Sequence, residues 1–366
     1  MDNLTHTMFG ATLARTPLGR AGRGATAALI IASNAPDVDF VAAAGGASKY
    51  LEWHRGITHG PLGMTGLAVL TASLIVAARH LNPKWRHPDD APFGMLVAVS
   101  FVGVLVHVLM DLPTSYGTRL LSPFSWRWFA VDWMPIVDVY LTVLLAAGLF
   151  FGRASPAARR RNAAIVLAFT AAIYGVRAAA HRQALDLAPR LYGPTLPPRC
   201  DARPEPTTWV DSWPKTTLPL PQTGQRCLVE LAAFPTFASP FDWRIVAQMS
   251  NAFELREINV LDNSLRETNP QSNGSWRRAI RYPNVWTPAV QQAAATGLGR
   301  MFLGFSRFPA ARAATDASGS ATVRFTDVRF VLGPAVADQP APPVQLFTAT
   351  IKLDAEGRIV FARLGR

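Results

Sequence analysis

The sequence predicts an α+β protein, with an N-terminal all-α helical bundle embedded in a membrane and a smaller C-terminal β-rich domain. Three observations carry this. Charged residues make up 16% of the 366 residues and hydrophobic residues 49%, against roughly 25% charged in soluble domains. Four apolar runs, Leu62–Ala78, Phe93–Leu109, Ile136–Phe151 and Ala163–Ala180, crowd into residues 62–180. Each lies near the short end of the ~17–25 residues that a spanning helix needs. Beyond Ala180 such runs cease and alternating segments take over. Buried helices of a large soluble protein are the competing reading, and the gathering of charge between the runs argues against it.

Taken in order, residues 1–61 predict short helices joined by Gly- and Pro-marked turns. Met8, Phe9 and Leu13 follow helical spacing behind Asn3 or Thr5 as N-cap. Ala25–Ala32 is apolar but too short to span, and Asn34-Ala-Pro36 reads as its stop, with Asp37 and Asp39 on the turn that follows. The four runs complete a domain over residues 1–186. A proline-dense linker covers 187–222. In 223–366, the segments Trp243–Met249, Phe253–Leu261, Ala321–Leu332, Val344–Ile351 and Arg358–Ala362 have strand character.

No signal peptide is visible, because the chain opens with Asp2 and polar residues, so the apolar runs are expected to serve as the targeting signal. The formal net charge of +12 comes from scattered arginines with one cluster, Arg159-Arg160-Arg161, beside an apolar run. That placement marks a cytoplasmic loop rather than a nucleic-acid surface, which needs a basic stripe on a recognisable motif. Cys200 and Cys227 leave two readings open, a bridge outside the cytoplasm or two free thiols.

Four of the seven histidines fall in acid-rich clusters before residue 140. These are His6, Asp37 with Asp39, His54 with His59, His107 with Asp111, and then Asp132 and Asp138. Imidazole and carboxylate form the ligand set of hydrolytic Zn, Mn or Mg centres. His107 and Asp111, four apart, share one helix face, and an ionisable pair in an apolar helix marks a functional site. Arg55 between the two histidines suits an anionic group such as phosphate. If the runs cross in alternation, all these residues lie near one face of the bilayer. With the arginine cluster inside, that face and the C-terminal domain are outside the cytoplasm. The cost is translocation of Arg15, Arg20, Arg23, Lys49 and Arg55.

The words Met1-Asp-Asn-Leu-Thr-His6-Thr, Asn34-Ala-Pro-Asp37-Val-Asp39, His54-Arg-Gly-Ile-Thr-His59-Gly and His107-Val-Leu-Met-Asp111-Leu-Pro-Thr-Ser-Tyr-Gly-Thr resemble the YdjM-like family of inner-membrane-associated, metal-dependent hydrolases of bacteria. Leu121-Ser-Pro-Phe-Ser-Trp-Arg-Trp-Phe-Ala-Val-Asp132-Trp continues the likeness, which is tight over most of residues 1–150. The resemblance implies a hydrolase class without naming a substrate. Gly60 and Pro61 depart from it, since the family more often has Ser and a small apolar residue there. The order His, Asp, His, His-x3-Asp is more distantly similar to zinc-dependent bacterial phospholipase C. That similarity implies His6, Asp37, His54 or His59, His107 and Asp111 as ligands, with Asp132 or Asp138 replacing later ligands that have no match here.

The resulting expectation is a membrane-bound hydrolase of a phosphoester or other ester, with a lipid-borne ester among the candidate substrates. It uses one to three divalent ions, Zn favoured over Mn or Mg, with Asp39 or Asp138 as base and Arg55 on the phosphate. The alternative is a non-catalytic membrane protein whose metal site is structural or sensing and whose C-terminal domain binds a partner.

Overall fold

The computed structural model describes residues 1–151, 155–192, 197–200, 210–214, 227–262, 280–331 and 347–365. The chain divides into two compact units. One takes Met1–Ala42 and Trp53–Ala179; the other takes Ala43–Glu52 and most of the chain from Ala180 onward.

In the first unit, helix α1 (Asn3–Leu13) is N-capped by Asp2, whose carboxylate accepts from Thr5 N at 3.0 Å; the cap therefore lies one residue before the earlier of the two expected positions. Helix α2 (Ala25–Ala32) does not simply stop at Pro36. The chain bends by 42° and continues as a 3-10 helix over Ala35–Gly45, so Asp37 and Asp39 sit within a second arm. After α3 (Ala47–Trp53), nearly all of which belongs to the other unit, and a 3-10 turn at Ile57–His59 come α4 (Pro61–Leu81) and α5 (Phe93–Asp111). A short strand β1 (Trp128–Ala130) precedes α6 (Val139–Phe150) and the long α7 (Pro156–Leu187).

Among the described residues three helices are long and apolar enough to cross a membrane, namely α4, α5 and α7 with its extension to Leu191. At ~1.5 Å per residue, the 21 residues of α4 cover roughly the ~30 Å hydrocarbon core. The third apolar run behaves differently. It forms only the 12-residue α6, about 18 Å long, because Asp138 and the preceding loop take up its first residues. Asp138 accepts from Leu141 N at 2.9 Å as the N-cap of α6, and Arg15 donates to the Gly148 and Leu149 carbonyls at its other end.

Small residues set how closely these helices approach. Ala28, Leu29 and Ala32 of α2 are buried, and a Cβ added at Gly103 of α5 would meet Ala32 Cβ at 2.9 Å and Leu29 O at 3.1 Å. Glycine at 103 thus lets α5 lie against α2 at near-backbone distance.

Strand β2 (Asp211–Trp213) is followed, in the second unit, by two four-stranded antiparallel sheets. The first runs in the order β3 (Leu228–Pro235), β4 (Asp242–Met249), β5 (Ala252–Asn259), β6 (Ile280–Pro283). The second is built from β7 (Pro309–Thr315), β8 (Ala321–Asp327), β9 (Thr348–Leu353) and β10 (Ile359–Leu364), reached through α8 (Pro288–Ala294) and α9 (Gly297–Phe305). The α+β class stands. The last turns of α7 contribute Ala180, Ala184 and Leu187 to a core with Ala233, Trp243, Ile245 and Ile258. Cys200 and Cys227 are bridged, with Cα atoms 5.0 Å apart. Most of the proline-dense segment lies outside the described residues.

Replacing Gly103 by Leu should force α2 and α5 apart. Overpacking of this kind costs about 1–3 kcal/mol, so thermal unfolding of the detergent-solubilised protein should fall measurably, while Gly94→Leu, which meets nothing within 4 Å, should not lower it.

Candidate metal centre

The centre is built around the last turn of α5. His107 and Asp111 project from one face, and both are fully buried. The α2–α5 approach brings the Ser33 carbonyl to 2.8 Å from His107 Nδ1. A carbonyl only accepts, so Nδ1 carries the proton and Nε2 presents a lone pair. That nitrogen lies 3.5 Å from Asp37 Oδ1, 3.5 Å from Asp111 Oδ2 and 3.3 Å from His59 Nε2.

The tautomer of His59 follows from its neighbours. Asp39 Oδ2 accepts from Thr58 Oγ1 at 2.9 Å, which uses the hydroxyl proton. Thr58 Oγ1 also lies 2.9 Å from His59 Nδ1 and therefore accepts from it. His59 Nε2 then also presents a lone pair, 3.4 Å from Asp111 Oδ2 and 4.0 Å from Asp37 Oδ1. Asp37, His59, His107 and Asp111 thus offer four acceptor atoms, all within 4.8 Å of one another and all buried. Four converging acceptors without a proton between them repel unless a cation lies among them. Asp111 Oδ2 has no hydrogen-bond partner among the described residues, as expected of an oxygen reserved for an ion. The donor set fits a divalent metal.

A second group, Asp37, Asp39 and His54, meets the same distance limit and shares Asp37 with the first. Here His54 Nδ1 donates to Asp39 Oδ1 at 2.8 Å, and Asp39 Oδ2 accepts from Arg55 N at 2.7 Å. Asp39 is therefore bound to three donors on the 54–59 segment and acts chiefly as its anchor. Arg55 adopts a left-handed φ of 53°, a strained conformation for a bulky side chain. Its guanidinium reaches Asp111 Oδ1 at 2.9 Å and Thr114 Oγ1 at 2.8 Å. It is folded onto a candidate ligand, so the guanidinium expected to hold a phosphate also braces Asp111.

His6 stacks on His107 with ring centroids 3.8 Å apart, and its Nε2 lies 3.3 Å from Asp111 Oδ1; the Met1 amino group also contacts that oxygen. Burial is the main cause of a His59 pKa well below the ordinary histidine range, with His107 and Arg55 acting in the same direction. Burial does the same to His6. Both rings are thus kept neutral, and His59 is one of the four candidate ligands, whereas His6, expected as a ligand, belongs to neither group and packs on His107 and Asp111 instead.

The two later acids lie elsewhere in function. Asp138 is fully buried against Arg177, with Nε and Nη2 at 3.0 and 2.6 Å; the pair and the α6 N-cap use its carboxylate, which rules out the expected role as general base. Asp132, buried with a φ of 63°, belongs to neither ligand group. Its neighbours Val131 and Trp133 donate to the carbonyls of Leu112 and Pro113, closing the loop after α5. Neither acid replaces a missing ligand of a third ion. Thr58 and the Ser33 carbonyl were not singled out in the sequence. The one signal for Thr58 is its place beside His59 in a word dense with site residues.

The family model described as "YdjM inner membrane protein" matches residues 1–184. The chain belongs to this family. The match covers the whole centre, from His6 to Asp111. A curated relative, the uncharacterised protein YfhP of Bacillus subtilis (strain 168), is 29% identical over 166 residues, covering 43% of this chain. The aligned part spans 48% of that relative's length. No solved structure matches.

Two measurements test the centre. Asp111→Asn should lower the affinity for Zn by about 10–100-fold or more, the range known for outer partners of metal ligands, while Asp138→Asn leaves it unchanged; isothermal titration of chelator-treated protein reads both. Thr58→Val should weaken Zn binding by about tenfold because it removes the acceptor that fixes the His59 tautomer, and Thr58→Ser should restore it.

Proposed function

We propose that this protein is a membrane-bound, metal-dependent hydrolase of a phosphoester, with Zn as the favoured ion. The observation that carries the reading is the convergence of four lone-pair-bearing atoms from Asp37, His59, His107 and Asp111. A bound divalent ion supplies an acidified water and stabilises negative charge developing on the ester. The chain's own groups do the rest. Asp37, Asp39 and Asp111 outweigh Arg55 in charge, so the cluster alone is anionic and attracts a divalent cation. Asp39 holds His54, Arg55 and Thr58 in place, and Arg55 keeps Asp111 Oδ1 occupied so that Oδ2 faces the histidines. Asp37, common to both groups, allows two neighbouring ions to be held.

The proposed setting is the bacterial inner membrane, crossed more than once, with the centre and the C-terminal unit on the outer face. The Cys200–Cys227 bridge supports that side, since disulfides persist in oxidising compartments, and the Arg159–Arg161 cluster in the first turns of α7 suits the cytoplasm; the short α6 then has to return the chain to the cytoplasmic face.

The full burial of His59, His107 and Asp111 favours a second reading, a closed structural or sensing metal site. Protein purified in detergent and loaded with Zn separates the two. Under the hydrolase reading it cleaves bis(p-nitrophenyl) phosphate, loses that activity on chelation and regains it with Zn. Bound Zn with no cleavage of phosphodiester, phosphomonoester or carboxylester substrates leaves the structural reading standing.

A further inference from the structure

We propose that the centre takes its phosphoester from a membrane lipid, and that an aromatic lip beside it seats in the headgroup–acyl boundary. The substrate class rests on the hydrolase reading; the seating of the lip does not. The lip is formed by Trp53, Ile57, Leu121, Phe124 and Trp126, all large, apolar and exposed.

The level of the lip follows from the helices. Helix α4 begins two residues after His59, and α5 ends at Asp111. His59 Nε2 and His107 Nε2 are 3.3 Å apart, so the start of one span and the end of the other lie on the same side. The segments 53–60 and 112–128 therefore emerge together where the hydrocarbon gives way to headgroups. His107 lies four residues inside the end of α5, about 6 Å below that level.

The two segments are joined to each other. Arg119 N donates to Arg55 O at 3.0 Å, and Ser122 Oγ donates to Gly56 O at 2.8 Å. Gly60 allows the approach, because a Cβ there would overlap the Ser122 carbonyl. From the joined segments an aromatic path runs outward. Tyr116 meets His54 at 5.4 Å and Trp128 at 6.1 Å, Arg119 lies over Trp128 at 4.2 Å and Trp126 at 5.1 Å, and Trp126 meets Trp53 at 6.5 Å. The path leads from the centre to a rim where Phe124 is 75% and Trp126 47% exposed.

Water does not favour such a surface, whereas tryptophan is enriched at the membrane interface. Residues 112–128 contain Arg119 and Arg127 and no acid, so no carboxylate of this segment repels a phosphate headgroup. The second arm repeats the pattern, with Asp37 and Asp39 buried while Val38, Phe40 and Val41 point outward and exposed. Acids inward and hydrocarbon outward is the arrangement of a polar centre flanked by lipid. The occupant of the lip is thus the lipid that surrounds α4 and α5.

Site-directed spin labelling tests the seat without reference to activity. Phe124→Cys, at an exposed position in a chain whose own cysteines are bridged, is labelled with a nitroxide and reconstituted in phosphatidylethanolamine–phosphatidylglycerol nanodiscs. Power saturation should show the label more accessible to oxygen than to a water-soluble nickel chelate. Greater accessibility to the chelate, or to neither because another copy of the chain covers the label, overturns the seat. The substrate class is tested with Zn-loaded protein in vesicles of inner-membrane lipid, lipid species being followed by mass spectrometry alongside soluble bis(p-nitrophenyl) phosphate. The expected result is loss of a lipid phosphoester, with the ratio of lipid to soluble turnover falling about tenfold in Phe124→Asp, the equivalent of one decade in binding. Cleavage of the soluble ester without any lipid change overturns the lipid substrate and spares the hydrolase reading. Cleavage of neither overturns both, with the spin label still deciding the seat.

Discussion

A single buried carboxylate, Asp111 at the end of an apolar helix, is the constraint around which the first unit is arranged. An ionised acid withdrawn from water is tolerated only when paired and hydrogen-bonded. One oxygen is met by Arg55, His6 and the Met1 amino group, the other faces His59 and His107. Each partner needs support of its own. Arg55 reaches Asp111 from a strained backbone held by Asp39. His107 is oriented by the Ser33 carbonyl, which arrives only because Gly103 lets two helices touch. The site is thus a consequence of how α2, α5 and the 54–59 segment pack, and packing faults at a distance are felt at the ligands.

Asp111 and Asp138 show how surroundings divide labour between identical side chains. Both are fully buried at helix ends. Asp138 sits at the start of α6, where the macrodipole and Leu141 N welcome an anion, and Arg177 completes its shell. Asp111 sits at the end of α5, where the dipole opposes negative charge, and one of its oxygens faces two histidine lone pairs. The first acid is satisfied by the protein alone; the second turns one oxygen toward His59 and His107, in a group able to hold a metal ion.

Much of this was legible in the sequence, for identifiable reasons. Histidine and aspartate stand out in a chain so poor in charge, and the i, i+4 spacing of His107 and Asp111 fixes their common face. The runs behind α4, α5 and α7 were plain because they are long. The fate of Asp138 was hidden, since Arg177 lies on another helix and nothing local links them. Pro36 read as a stop, yet proline is tolerated in the first turn of the 3-10 arm that follows. Strand β3 escaped notice because it is buried on both faces and lacks alternation, and β7 because its run of alanines has little strand character. The role of Thr58 depends on where one proton goes, which spacing does not encode.

The order of these residues along the chain has a consequence for biogenesis. The side chains that meet Asp111, from His6 through Arg55 and His59 to His107, all precede it. At ~5–20 residues per second of synthesis, they have left the ribosome before the acid does. When α5 enters the membrane, its one acid finds a cationic arginine and three imidazoles already made, so the helix need not carry an unanswered charge into lipid while waiting for the rest of the protein.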